Sequence, residues 1–149
     1  MLSKTNAGTQ KKAASKKAGP KENGTHMSEH KKYEEIHFVD STKPVWNYSL
    51  FSQEDIENFQ RGTHYRLYEL FGNKQFEVLG TWGTYFAVWA PNATQVSVTG
   101  NFNHWDKETH KLFVRLDHSG IWEGFIPYVP AGEAYKYHIH GFQGIRLDK

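Results

Sequence analysis

At 149 residues the chain has room for one domain with an extension, and the lack of any cysteine excludes disulfides and thiolate metal sites. Aromatic residues make up 15% and include five Trp, enough to build one core and leave rings outside it. The net charge of +2 hides an asymmetry: residues 1–24 hold six lysines against one acid, a local +5, so the remainder carries −3.

Residues 1–32 are Ala, Lys, Gly, Ser and Thr with almost nothing to bury, which predicts a disordered Lys-rich tail. The tail has no arginine, no Phe, Tyr or Trp to stack on bases and no periodic apolar face. It therefore reads as a solvated leader rather than a nucleic-acid arm or a transit peptide, and no nucleic-acid partner is expected. No apolar run approaches the roughly 20 residues that cross a bilayer, and no secretory h-region is present. The expected address is the cytoplasm, with no membrane partner.

Residues 33–73 read as an extended and helical segment. Trp46 and Tyr48 are its first large apolar groups, and they would pin it to a core. Ser52 before Gln53, Glu54 and Asp55 is a capping-box arrangement. Ile56 and Phe59 give a short apolar stripe, and Gly62 stops the helix. The apolar residues of 63–71 fit neither the helical nor the strand period cleanly.

From about residue 74 the period becomes two, and residues 74–149 are assigned to a β-sandwich. Strands are expected over Gln75–Leu79 and Thr84–Ala90, around a turn at Gly80-Thr81-Trp82-Gly83. Further strands are expected over Gln95–Thr99, Lys111–Leu116, Ile121–Ile126 and Ala134–His140. In the last, Tyr135, Tyr137 and Ile139 point inward, and Lys136, His138 and His140 outward. Six short strands with regular turns and no helix between them predict an all-β, immunoglobulin-like antiparallel sandwich.

The segment Gly100-Asn101-Phe102-Asn103-His104-Trp105-Asp106 places an indole beside amides and a carboxylate, outside any strand pattern. A sugar ring needs a flat aromatic for its C–H face and fixed polar groups for its hydroxyl rim. Trp105 with Asn101, Asn103 and Lys136 supplies such a set. The same residues also fit a Trp105 tucked into the sandwich edge with asparagines that satisfy turn backbone. His138 and His140, two apart on one face, read as an exposed pair rather than a metal site, for want of a third ligand. No metal or cofactor is expected. Asp106, Glu108, Asp117 and Glu123 read as solvated acids, with no pair at catalytic separation. Trp82, Trp89 and Trp122 read as core or inter-domain packing, with Trp89 expected to meet the N-terminal segment or a further domain.

Four motifs occur in order: Trp89-Ala90-Pro91-Asn92-Ala93, Val96 to Trp105, Gly120-Ile121-Trp122-Glu123 and Tyr135-Lys136-Tyr137. Together they resemble the family 48 carbohydrate-binding modules, the isoamylase-type N-terminal domains of α-glucan enzymes. With Gly62 to Glu69 ahead of them, the resemblance narrows to the entry of glycogen-type 1,4-α-glucan branching enzymes and covers about residues 46–149. The resemblance implies that Trp105 stacks on glucose, as does the loop tryptophan of the related glycogen-binding domain of the AMP-activated protein kinase β subunit. Lys136 corresponds to the lysine of that site. The second platform tryptophan falls near Gln143, where Phe142 is the available substitute.

For the parent enzyme the resemblance implies a retaining glucan transfer that makes α-1,6 branches, with its carboxylates on a (β/α)8 barrel. The chain stops at Lys149, where that barrel would be approached, so it is expected to be a non-catalytic piece that binds α-1,4-glucan or glycogen and packs on the barrel. Two other readings remain at this point. One is a free-standing glycogen-targeting or scaffold module; the other is a sandwich that packs and binds no sugar.

Overall fold

A computed structural model describes residues 39–63 and 66–149. The tail expected over 1–32 lies outside the described residues. Seven strands form two antiparallel sheets: β1 (Gly72–Val78), β2 (Thr81–Trp89), β3 (Ala93–Gly100), β4 (Phe113–Val114), β5 (Ile121–Pro127), β6 (Tyr135–Gly141) and β7 (Arg146–Asp148). The first sheet has the order β1-β2-β5-β4, the second β3-β6-β7. This is the all-β, immunoglobulin-like sandwich that the period-two pattern predicts, and among the described residues one α-helix, α1 (Gln53–Arg61), precedes it.

Helix α1 begins and ends where its cap residues dictate. The Asp55 backbone N–H donates to Ser52 Oγ at 3.1 Å, and the Ser52 N–H donates to Asp55 Oδ2 at 2.8 Å. Gly62 takes φ 72°, and the Thr63 N–H closes back on the Asn58 carbonyl at 2.8 Å. Ile56 is buried beneath the helix.

The first sheet is covered on both faces. Phe86, Val96, Val98, Trp122, Ile126 and Ile139 belong to the core between the sheets. On the opposite face Tyr85, Ala87, Ile121 and Phe125 pack under Trp46, Tyr48, Phe51 and Ile56 of the N-terminal segment. This accounts for the unbroken burial from Gly83 to Ala87 in β2 and from Ile121 to Ile126 in β5, since a strand loses its polar face when both faces are covered. Trp46 exchanges backbone hydrogen bonds with Phe125 at 2.7 and 2.9 Å and so extends the sheet edge beyond β4.

Several expectations are corrected. The β1–β2 turn is Leu79-Gly80, with φ of 48° and 77°, a two-residue connection of the kind that matches strand twist. Trp82 therefore sits inside β2, opposite Glu77. Gly83 is a packing glycine: a Cβ there would stand 2.5 Å from the Ile126 carbonyl oxygen.

The strand expected over Lys111–Leu116 divides between the sheets. Lys111 and Leu112 bond β3, the Leu112 N–H donating to the Val96 carbonyl at 2.8 Å. Phe113 and Val114 then pair with β5. Strand β7 was not expected; it folds back on β6 through Gln143 and Gly144, both at positive φ.

Glu123 is buried at 3% exposure rather than solvated. Its carboxylate accepts from Ser49 Oγ at 2.9 Å, Tyr85 OH at 2.7 Å and Arg115 Nη1 at 2.7 Å. His138 is buried rather than exposed, because β7 brings Asp148 opposite it and Asp148 Oδ1 bonds its Nδ1. Trp122 joins the core, with its indole N–H donating to the Ala90 carbonyl at 3.1 Å. Trp82 and Trp89 do not join it; both rings are exposed, and Trp89 meets Phe59 of α1 edge-on at 6.0 Å.

Candidate functional site

The loop that leaves β3 is built by three local features. Gly100 passes so close to Ala134 and Phe102 that a Cβ would lie 2.6 Å from the Ala134 carbonyl oxygen and 2.7 Å from the Phe102 ring. Asn101–Asn103 then makes one 3₁₀ turn, closed by the His104 N–H on the Asn101 carbonyl at 3.2 Å. His104 and Trp105 follow at φ 53° and 60°, in the left-handed region that side chains other than glycine enter at a cost. The Trp105 N–H reaches back to the Gly100 carbonyl at 2.9 Å.

This path presents Trp105 at the surface, with 42% of the residue exposed. Its indole N–H donates to Asn101 Oδ1 at 3.0 Å, so the ring is oriented by a neighbour in its own loop. Lys136 is exposed in β6 and lies in register with Thr99, the residue before Gly100. Trp105, Asn101 and Lys136 thus gather at the end of the β3–β6 ladder.

Asn103 has a different place. It is buried, and its amide nitrogen donates to the Val98 carbonyl at 2.9 Å and the Asp106 carbonyl at 3.1 Å, while its Oδ1 accepts the Gly100 N–H at 3.0 Å. The amide also stands 3.0 Å from His110 Nδ1, and burial holds the His110 imidazole below its usual pKa. Asn103 and His110 therefore form the frame on which Trp105 is mounted. Nothing in the sequence points to His110, since a lone His seven residues after an Asn carries no spacing signal.

Phe142 lies at the other end of the molecule. Lys136 is the second residue of β6 and Phe142 follows its last, six residues on, about 20 Å along a strand. Phe142 is exposed beside a groove of about 640 Å³ whose walls include Trp89, Pro91, Ile145 and Leu147. Phe142 therefore stands apart from the group gathered at the Gly100 end of the β3–β6 ladder.

A charged lattice ties the Trp105 loop to the outer face of the second sheet. Ser97 Oγ donates to the Lys107 carbonyl at 2.6 Å, and Lys107 Nζ pairs with Asp148 Oδ2 at 3.0 Å. Asp148 also bonds His138, whose Nε2 stands 2.8 Å from His140 Nε2. The His138 hydrogen bond, followed by Lys107, holds the Asp148 carboxyl down to about 2. Among the described residues no group of three His, Asp or Glu side chains is arranged to hold a metal ion. No helix among them is long and apolar enough to cross a membrane.

An exposed indole oriented by an amide, with a lysine at the same end of the strand ladder, suits a polyol with one apolar face. The sequence model for carbohydrate-binding module 48 (isoamylase N-terminal domain) matches residues 70–149. Over 95 residues the chain is 49% identical to the 1,4-alpha-glucan branching enzyme GlgB of Trichodesmium erythraeum (strain IMS101), covering 64% of this chain and 12% of that protein. It is 51% identical over 95 residues to the enzyme of the same name from Thermosynechococcus vestitus (strain NIES-2133 / IAM M-273 / BP-1), again covering 64% of this chain and 12% of that protein. A third relative of that name, from Mesorhizobium japonicum (strain LMG 29417 / CECT 9101 / MAFF 303099), is 51% identical over 86 residues, 58% of this chain and 12% of its own length. The matched region therefore spans about 12% of the length of these relatives. The fold, the Trp105 loop and the match over residues 70–149 place the chain in the carbohydrate-binding module 48 family, the isoamylase N-terminal domains.

Proposed function

We propose that this chain is the N-terminal, non-catalytic α-glucan-binding and packing domain of a 1,4-α-glucan branching enzyme that acts in glycogen biosynthesis in the cytoplasm. On this reading α-1,6 branches are made by a catalytic (β/α)8 barrel outside the sequence described. The domain holds α-1,4-glucan while that barrel works. The observation that carries the glucan role is the Trp105 indole, presented at the surface by a strained loop and oriented by Asn101, with Lys136 at the same end of the β3–β6 ladder. The relatives, all named as branching enzymes, support the placement in that enzyme.

Each group has a stated part. Trp105 offers its face to the C–H face of a glucose unit. Lys136 and the Asn101 amide hydrogen-bond hydroxyls at the rim. Asn103 keeps the loop in shape from beneath. The apolar groove by Trp89, Phe142, Ile145 and Leu147 is the surface suited to the barrel, because contiguous exposed apolar surface of this kind marks a contact between domains. Phe142 thus belongs with packing and not with the Trp105 sugar site.

Electrophoresis of the chain through native gels cast with glycogen tests the proposal. Retardation that Trp105→Ala and Lys136→Ala each diminish is the expected result. Equal mobility with and without glycogen for the unsubstituted chain would remove glucan binding as a function of this domain and leave packing alone.

A further inference from the structure

The two ends of the sandwich differ in chemistry. One carries the continuous apolar groove beside Phe142. The other is where β3 ends and β6 begins, and the same end holds the β1–β2 turn and the loop from Tyr128 to β6, since β2 starts and β5 stops there. Two large rings stand in water at this second end: Trp82 at 62% exposure and Tyr128 at 81%. Their backbones are joined, the Tyr128 N–H donating to the Trp82 carbonyl at 2.8 Å.

The local build holds these rings outward. Tyr128 has φ 65°, a left-handed conformation without a glycine. Its neighbour Val129 is sunk into the inter-sheet core, and the Val129 carbonyl is gripped by Thr84 Oγ at 2.8 Å and Gln75 Nε2 at 3.3 Å. The anchored Val129 maintains the strain at Tyr128, and residues held in sparsely populated backbone conformations cluster at ligand sites. Glu77 lies directly opposite Trp82 on the same strand face and is exposed, so an acceptor for hydroxyls stands beside the indole. Rings interleaved with polar groups suit a sugar chain, whereas the far groove, with few polar groups, suits protein.

We propose that Trp82 and Tyr128 form a second stacking surface for the same α-glucan, at the Trp105 end of the sandwich, with Glu77 accepting hydroxyls beside Trp82. This rests on the α-glucan reading given above and deepens it: a short oligosaccharide is held at Trp105 alone, and a longer chain also covers the Trp82–Tyr128 surface. Trp82 is then a ligand group and not the packing tryptophan that the sequence pattern indicates.

Calorimetric titration of the full chain with maltotriose, maltoheptaose and glycogen tests this, using Trp82→Ala, Tyr128→Ala, the double variant and Trp105→Ala. Trp82→Ala and Tyr128→Ala are each expected to weaken maltoheptaose binding about three- to tenfold, the range of one aromatic contact, and to leave maltotriose binding unchanged, whereas Trp105→Ala weakens both. Because both rings are exposed, the melting temperature stays that of the unsubstituted chain. A double variant that binds maltoheptaose and glycogen unchanged, while Trp105→Ala does not, overturns the second surface, keeps the glucan function and assigns the two rings to a protein contact. Loss in the double variant with Trp105→Ala unaffected supports the second surface and removes the Trp105 site instead. Absence of binding to all three glucans by the unsubstituted chain overturns both.

Discussion

Ser49, Tyr85 and Arg115 converge on the Glu123 carboxylate from three separate parts of the chain. Burial pushes the Glu123 carboxyl up, and the Arg115 guanidinium beside it works in the opposite direction. Removing Glu123 leaves the Arg115 charge with Asp117 as its remaining carboxylate partner and takes away the acceptor of the Ser49 and Tyr85 hydroxyl protons. Glu123→Ala should therefore cost about 3 kcal/mol in urea unfolding; a loss below about 1 kcal/mol would contradict the assignment. An isolated acid in a strand pattern gives no sign of such partners, which explains why Glu123 reads as solvated in the sequence. His110 titrates in the opposite sense to a stabilised cation. Its folded pKa lies below the ordinary 6.5, so the stability it lends the Trp105 loop is present above that value and is lost as pH falls through the lowered one. An NMR pH titration should show the Trp105 indole N–H resonance shifting with His110 protonation. A resonance that stays fixed through that step would separate His110 from the loop.

At the scale of elements, the Trp105 loop depends on a close approach. Gly100→Ala forces a Cβ against the Ala134 carbonyl and the Phe102 ring. We expect a loss of about 1–3 kcal/mol in thermal unfolding together with weakened glucan binding. Wild-type stability in this variant would show that the loop repacks freely. Strand β7 is held by the Lys107–Asp148–His138 contacts on its outer face. The Asp148 carboxyl lies well below its ordinary 3.8, so its contribution is present above that value and disappears as pH falls towards about 2. Amide protection relative to the intrinsic exchange rate in Arg146–Asp148 should fall over that range, and Asp148→Asn should already show lower protection at neutral pH. Equal exchange in the two proteins would place the strand's anchor elsewhere. The core strands, the helix caps and the Trp105 loop were legible because each has its own local signal: alternation, a capping box, or an indole set outside any strand pattern. Strand β7, the strand switch at Leu112 and Phe113, and the turn at Leu79 were not. Their identity is set by partners distant in sequence, and Leu79 takes a conformation that glycine or asparagine would normally announce.

For the whole molecule, the sandwich has one end suited to sugar and one suited to protein. The N-terminal segment fills a second core on the outer face of the first sheet, so Trp46, Phe51 and Ile56 belong to the same packed body as β2 and β5. If the apolar groove seats the catalytic barrel, Phe142→Ser with Ile145→Ser should leave folding within about 0.5 kcal/mol of the unsubstituted chain, since both residues are exposed. The same pair should weaken co-purification with a separately produced barrel at least tenfold. Undiminished co-purification would move the contact off this groove. The family resemblance joins Phe142 to Trp105, whereas the register sets the Trp105 loop at the Gly100 end of the β3–β6 ladder and Phe142 at the Ala93 end. Position along a strand is fixed by register, which residue types do not report.

The most direct test of the account is a titration of the chain with maltoheptaose, followed by tryptophan fluorescence and repeated with Trp105→Ala. The account predicts a saturable change that Trp105→Ala weakens at least tenfold while the variant's melting temperature stays close to that of the unsubstituted chain. Saturable binding that survives Trp105→Ala unchanged, or no binding by the unsubstituted chain, would contradict it.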